Sequence, residues 1–435
     1  MILSIAGLAL ALAASGAPPT PASAADTTTT TYTVGGVRVI HRRGNTSTVV
    51  ANLYLLGGVR AVPAGQAGLE NFLLQVSERG TTRYQRDVLR RSMARTGSEI
   101  LIEAREDWTL VGTRTVPAEL DSTWAIFAER VMHPRLDSID VEFIRGQMLA
   151  AVRQRDDSPD AILEYVADSA AFAGHPYALS PVGTERTLAG ISRADLLRFH
   201  REQLVTSRML LVVVGNVDRA TVERLVRGTL ATLPAGTFAW TMPDTLATSR
   251  PDVAMIRRTL PTNYLQGFFR GPAANSPDAA ALRVAAAVLS GRLFGEIRSK
   301  RNLTYAVSAN YRDRALTSVG LYVTTTAPDS VLAIMLAEVK TLKQFPIQTE
   351  MLRPIVQQFI TEYFLDNETS TAQADFLARA QLYRGDYTAG ERFVAELRAV
   401  TGADVRRVAQ RYLMNARWAY VGDPTRVTRD RMTVF

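Results

Sequence analysis

The chain of 435 residues has no cysteine, only three lysines and four histidines. Beyond its N-terminal stretch it has no apolar run long enough to cross a membrane. Each scarcity removes a class of function. Without thiols there are no disulfides, no thiolate nucleophile and no thiolate zinc site, so stability rests on core burial. The histidines, at 41, 133, 175 and 200, form no pair at ligand spacing. Almost all of the positive charge is arginine. The net charge of +8 and pI of about 9.8 are spread along the chain, with no dense basic block and no interleaved aromatics. That distribution argues against nucleic acid as a partner. No serine, including those near Gly291, sits in a nucleophile-elbow pattern.

What is present begins with "MILSIAGLALALAASGAPPTPASAAD". Ile2 to Ala14 is apolar, and Ala22-Ser23-Ala24 supplies small residues before a cleavage point, although no basic residue precedes the apolar region. We expect residues 1–25 to be a signal peptide and the chain to be exported, to a periplasmic or extracellular location. The mature chain then contains no integral membrane segment.

The rest repeats itself. "SRADLLRFHREQL" at 192–204 runs into "VTSRMLLVVVGNVD", and "TGADVRRVAQRYL" at 401–413 runs into "MNARWAYVGDPT". Ser192, Ala194, Asp195, Leu204 and Arg208 align with Thr401, Ala403, Asp404, Leu413 and Arg417. Both copies open on Ser/Thr-x-x-Asp, a helix-capping pattern, and end in a strand closed by Gly215 or Gly422. A period this long indicates a duplicated domain. Boundaries follow at 27–235 and 251–435, with a Pro- and Thr-rich linker at 236–250. Strand-like alternation in "VRVIHRRGNTSTVVANLYLLGG", "TYAVSANYRD" and "VGLYVTTTA" is mixed with helical periodicity in "YQRDVLRRSMARTG", "PDAILEYVADSAAFA" and "AALRVAAAVLSGRLFGEIRS". The fold class expected is α+β: two homologous domains, each a mixed β-sheet with helices packed on one face.

One short helix carries most of the functional information. In "GLENFLLQVSERGT", residues 68–81, Leu69, Phe72, Leu73 and Val76 form a core stripe at i, i+3, i+4, i+7. The opposite face holds Asn71, Leu74, Gln75 and Glu78, which leaves Leu74 an exposed leucine in a polar setting, available to a partner.

This stretch resembles the zinc helix of the insulinase/pitrilysin metallopeptidases, the family that includes the mitochondrial processing peptidases. Gly68, Leu69, Phe72, Leu73, Gly80 and Thr81 match the context of that family's His-x-x-Glu-His motif. "HPYALSPVGTERTLAGIS", "LLVVVGNVD" and "LSGRLFGEIRSKRNLTYAVSANY" extend the resemblance over nearly the whole mature chain. The chemical positions depart from it. The two histidines correspond to Asn71 and Gln75, the glutamate to Leu74, and the distal glutamate ligand to Ala151. Neutral amides are poor zinc ligands, and leucine cannot take a proton from metal-bound water. The resemblance therefore implies a fold whose metal chemistry is gone, with no cofactor bound by this chain.

It also implies something kept. The family's Arg/Tyr pair, seven residues apart and contacting substrate near the zinc, falls on Arg298 and Tyr305. Such a pair could hold a peptide carbonyl or an oxyanion. Equally, Arg298 fits a solvated cation in a helix's last turn, and Tyr305, alternating with Val307, Ala309 and Tyr311, fits a strand core residue. Some family members are two-subunit enzymes in which one subunit carries zinc and the other supplies Arg and Tyr. By that resemblance the chain is expected to be the non-catalytic, peptide-substrate-binding subunit of a heterodimeric zinc endopeptidase. Zinc would then sit in a His-x-x-Glu-His-bearing homologous partner. The alternatives are a non-enzymatic peptide-binding or scaffold protein on the same fold, and an autonomous hydrolase with an unrecognised site.

Overall fold

The computed structural model describes residues 28–245 and 250–434, so the signal-peptide segment lies outside the described residues. Two runs of elements follow one another in parallel order. The first comprises β1 (Thr28–Val34), β2 (Val37–Arg43), β3 (Val49–Leu56), α1 (Leu69–Val76), α2 (Arg86–Thr96), β4 (Glu99–Ala104) and β5 (Trp108–Thr115). It continues with α3 (Leu120–Met132), α4 (Ser138–Asp157), α5 (Pro159–Ala171), α6 (Glu185–Gly190), α7 (Arg193–Gln203), β6 (Met209–Gly215) and α8 (Arg219–Arg227). The second comprises β7 (Asp252–Arg257), β8 (Asn263–Ala273), α9 (Asp278–Leu293), β9 (Val307–Arg312), β10 (Leu316–Thr325) and α10 (Pro328–Gln344). It closes with α11 (Thr349–Asp366), α12 (Ser370–Arg384), α13 (Ala389–Ala399), α14 (Gly402–Tyr412), β11 (Arg417–Gly422) and α15 (Arg429–Met432). The fold is α+β, with two mixed sheets.

The first sheet runs β1-β2-β6-β3-β5-β4 and the second β7-β11-β8-β10-β9. In each, one pair is parallel (β2 with β6, β7 with β11) and the remaining neighbours are antiparallel. The repeated caps form as the sequence suggests. The Ser192 and Thr401 hydroxyls accept from the Asp195 and Asp404 amides, and each carboxylate accepts in return from the cap residue's N–H. The hydrogen bonds from Ser192 pull the Asp195 carboxyl down to about 2.

Helices do cover one face of each sheet. On the first, α3 and α8 pack Trp124, Phe127, Val222 and Val226 onto Leu53, Leu211 and Val213. On the second, α9, α10 and α14 pack onto Leu265, Val319, Leu321 and Trp418. The central strands are buried on the other face too: every residue of β3 and β6 in the first sheet, and all but the first residue of β11 in the second. Each half supplies the cover for the other. Helix α12 lays Ala374, Leu377, Ala378 and Leu382 against Val50, Tyr54, Leu210 and Val212 of the first sheet. Helix α5 lays Ile162, Leu163 and Ala167 against Phe268, Ala419 and Val421 of the second.

A buried polar cluster joins the halves between these two helices. Arg314, in the β9–β10 turn, donates to both Asp168 oxygens at 2.8 Å and to Glu106 at 2.9 Å. Asp107 accepts from Tyr177 of the first half, from Tyr383 of α12 at 3.1 Å and from Arg60 at 3.0 Å. Burial and then the Asp107 charge push both phenols far above their ordinary value, so both remain donors. The described part of the 236–250 stretch is seated too. Trp240 donates to the Leu382 carbonyl at 2.9 Å, and Phe238 and Met242 pack beside the α12 cluster.

Breaking one partner of a buried ion pair leaves uncompensated charge. Arg314→Ala, which strands Glu106 and leaves Asp168 with Arg312 alone at 3.3 Å, is expected to cost about 3 kcal/mol in urea denaturation. A loss below about 1 kcal/mol would show that the cluster does not tie the halves together.

Candidate functional site

Helix α1 starts where Gly68 takes φ 93°, and a Cβ there would lie 2.8 Å from Gly183 Cα. Glycine is required at that turn for both conformation and space. The stripe Leu69, Phe72, Leu73 and Val76 packs against α4 and α7 through Ile144, Met148, Leu196 and Phe199. On the other side, Asn71 is buried and Gln75 half-buried, and the Gln75 amide donates to Asn71 Oδ1 at 3.5 Å. The two positions at histidine spacing are thus turned toward each other rather than toward an ion.

Leu74 corrects the sequence reading. It is not exposed: it is 3% accessible and packs with Leu53, Val111 and Leu211 on the helix-covered face of the first sheet. An eight-residue helix buried nearly all round has no open polar face for a wheel to reveal. Ala151, by contrast, is exposed on α4 and offers no donor atom. The one carboxylate α1 carries that faces the interior, Glu70, is committed elsewhere. It accepts from Arg208 Nη2 at 2.9 Å and from Thr109 at 2.7 Å, while Arg208 also donates to the Leu56 and Gln203 carbonyls. Sequence reasoning passed over Glu70. Its signal was a glutamate inside an otherwise apolar stripe, which requires a buried cation nearby.

Among the described residues no three His, Asp or Glu side chains converge on a point where a metal could sit. The donor set Asn71, Leu74, Gln75 and Ala151 does not fit zinc. Buried His41 and half-buried His200 act as neutral hydrogen-bonding groups instead. His41 Nε2 bonds the Val217 carbonyl at 3.1 Å and His200 Nε2 the Val131 carbonyl at 3.0 Å, and burial lowers both pKa values.

The Arg/Tyr segment presents a different picture. Helix α9 continues without a break into a π-helical turn, Phe294–Ser299, a departure from α geometry that clusters at functional sites. The following loop is held tightly. Asn302 N–H donates to the Arg298 carbonyl and Leu303 N–H to the Ile297 carbonyl, both at 3.0 Å. The buried Thr304 hydroxyl donates to the Ala306 carbonyl at 2.9 Å, and Thr325 donates to the Leu303 carbonyl at 2.7 Å. Between these fixed neighbours Tyr305 is 88% exposed, two residues before β9 begins, so it is not a strand core residue.

Arg298 is exposed in the last helical turn, with its guanidinium 5.0 Å from the ring centroid of Phe294, itself 45% exposed. Its basic neighbours are all occupied. Arg292 pairs with Glu338 at 2.7 Å, and Lys300 and Arg301 both pair with Glu296. Those hydrogen bonds, from Lys300 first, pull Glu296 down to about 2. Among the described residues Arg298 has no carboxylate partner. The structure keeps the two sequence-predicted groups apart: α1 packs within the first half against α4, α7 and β4, the Arg298 turn within the second against α9, α10 and β9.

Known proteins share this arrangement. Residues 190–359 match the family described as the Peptidase M16 inactive domain. An uncharacterized zinc protease of Mycobacterium tuberculosis is 24% identical over 381 residues, covering 83% of this chain and 84% of that protein. A mitochondrial-processing peptidase subunit beta of Lentinula edodes is 22% identical over 396 residues, covering 86% and 85%. The chain thus resembles the peptidase M16 proteins in sequence, and residues 190–359 match their inactive domain. A solved peptidase M16 inactive domain from Pseudomonas fluorescens superposes with a TM-score of 0.81 at 19% identity, over 91% of this chain and 98% of that one. The two-sheet fold is therefore that of the solved M16 inactive domain, and within it α1 carries two amides, Asn71 and Gln75, and the core leucine Leu74.

Two outcomes are expected. Leu74→Glu, which would restore a carboxylate at the general-base position, buries it against the sheet and is expected to destabilise the fold by several kcal/mol, read as a lower unfolding midpoint. A protein that tolerates it unchanged would refute the packing described for α1. Secondly, histidines held neutral in the fold lose stability as pH falls from about 6.5 through their lower folded values, because the unfolded chain binds protons that the fold refuses. Denaturation midpoints measured across that window should fall with acidification, and the slope should flatten in His41→Gln and His200→Gln.

Proposed function

We propose that the chain is the zinc-free, substrate-holding subunit of an exported heterodimeric zinc endopeptidase. In this reading a homologous partner with an intact His-x-x-Glu-His motif contributes the metal and the general base. Arg298 and Tyr305 reach into that partner's site and hold the peptide. The observation that carries the proposal is the selective pairing of charge around Arg298. Among the described basic residues of 292–301, Arg292, Lys300 and Arg301 are each paired with a carboxylate, and Arg298, which is not, opens the bonded loop that carries the exposed Tyr305.

The chemistry suits a neutral or developing negative oxygen. A guanidinium supplies a fixed charge with several donors, and a phenol supplies one more. Held on a stiff loop, they require little reorganisation when charge builds on a peptide carbonyl, which is the condition for oxyanion stabilisation. Removal of one such donor is worth roughly 10²–10³ in turnover.

Co-expression with a zinc-bearing homologue, purification of the complex and assay of peptide cleavage test this directly. The expected result is a stable complex whose kcat/KM falls about a hundredfold in Arg298→Ala and about tenfold in Tyr305→Phe. A complex that cleaves equally well with both substitutions removes the substrate-clamp role. Failure to form any complex would favour the non-enzymatic scaffold reading.

A further inference from the structure

Helix α2 and its approach carry an unbalanced charge. Residues 83–95, "RYQRDVLRRSMAR", hold five arginines and one acid, Asp87, a net +4 that is half of the chain's +8. All five, Arg83, Arg86, Arg90, Arg91 and Arg95, are exposed. The ion pairs on either side in sequence are Arg79 with Asp140, Arg114 with Glu99 and Arg105 with Glu103, and among the described residues none falls on these five. Helix α8 shows the usual alternative, since its Arg219, Arg224 and Arg227 each meet Glu223 or Asp121.

These charges are held together at a cost. At about 100° per residue, Arg86 and Arg90 lie on one flank of the solvent side and Arg91 and Arg95 on the other, with Asp87 and Ala94 along the crest between them. Leu89 and Thr96 are buried on the opposite side, and Met93 is half-buried. Arg86 with Arg90, and Arg91 with Arg95, are like charges at i,i+4, a spacing that destabilises a helix. Arg86 also stands at the helix N-terminus, where the dipole disfavours a cation and no side chain caps the end. Along the sequence, neutral residues interrupt the arginines; on the helix they become one face.

We infer that this face docks the chain on an anionic phospholipid surface. A guanidinium pairs with a phosphate through two parallel hydrogen bonds, so an array of them suits a plane of phosphates. A half-exposed helix is convex and offers no pocket to a small anion. Long arginine arms on both flanks can bend to one plane, and Ala94 on the crest lets the backbone approach it. An acidic protein would need an apolar centre to the contact, whereas the crest here is Asp87 and Ala94, with Val88, 38% exposed, to one side. A single-stranded nucleic acid needs exposed rings for stacking, but Tyr84 is half-buried, with the Arg83 guanidinium 5.4 Å from its ring centroid. The face lies in the first half of the chain and does not depend on the role proposed for Arg298 and Tyr305.

Co-sedimentation of the purified full chain with lipid vesicles tests this. One set is neutral phosphatidylcholine, and the other contains about one-third phosphatidylglycerol. Residues 1–25 have no charged side chain and contribute equally to both sets, so the difference between the sets reads the arginine face. The chain is expected to bind the anionic vesicles and to leave them as salt rises from about 0.05 M to about 0.5 M. Arg90→Gln with Arg91→Gln should weaken partitioning about 25-fold, about fivefold for each arginine. The melting midpoint of that variant should be unchanged or higher, because two like-charge contacts are removed. Arg353→Gln with Arg398→Gln, exposed cations elsewhere, lowers the net charge by the same amount and should change partitioning less than about twofold. Equal binding to both vesicle sets, no binding to either, or an equal loss in the two double variants overturns the inference. Tighter binding to a DNA duplex or to polyglutamate than to the anionic vesicles would assign the face to another polyanion and overturn the lipid surface as its partner.

Discussion

Two sheets that are apolar on both faces cannot each be satisfied within a single half of this chain. That constraint organises the rest of the fold. The helices of each half cover one face, and the second face is closed by a helix on loan from the other half, α5 in one direction and α12 in the other. A fully buried leucine or valine contributes about 1.5–3 kcal/mol, so exposing either second face would cost more than the whole stability of a typical domain. Apolar contact alone does not fix an angle. The buried cluster of Arg314, Glu106, Asp168 and Asp107 supplies direction, since bidentate and phenol hydrogen bonds tolerate little displacement.

Locking the halves together separates structure from chemistry. In the first half, α1 is a packing element on every side: its stripe meets α4 and α7, Leu74 meets the sheet, and Glu70 neutralises Arg208. Gln75 donates one long hydrogen bond to Asn71 Oδ1. In the second half the positional equivalent of α2, the segment after α9, is no regular α-helix but a π turn and a bonded loop that push Arg298, Phe294 and Tyr305 outward. Arg298 and Tyr305 are thus both exposed, and both stand in the second half.

Much of this could be read from the sequence. The duplication was visible because two capping boxes and two strand-closing glycines recur at one spacing, and both boxes form. The chemistry at Asn71, Gln75 and Ala151 was legible too, since two neutral amides and a methyl group are poor metal ligands in any context. Context defeated the reading of Leu74 as exposed and the strand-core alternative for Tyr305. A helical wheel assumes one buried face, and α1 has several. Alternation through Tyr305, Val307, Ala309 and Tyr311 suggested one strand, but the Thr304 hydroxyl bonds hold a turn at that point and β9 starts only at Val307. The exchange of α5 and α12 had a faint signature in "LLVVVG", whose unbroken apolar run requires cover on both faces. Nothing local says which helix provides it.

The division between the halves bears on why a metal-free subunit would keep so elaborate a body. A clamp that stabilises charge works only if its donors are already in place when the charge appears. Arg298 and Tyr305 are side chains on a surface, and surface side chains ordinarily move freely. Here the turn beneath them is bonded at Gly295, Ile297 and Arg298, and its far end is bonded into β10 through the Thr304 and Thr325 hydroxyls. β10 in turn lies in a sheet pinned on both faces, one of them by α5. Rigidity at an exposed tyrosine is therefore inherited, step by step, from the helix that the first half contributes. In the proposed substrate-holding role, the first half would contribute by making the second half stiff.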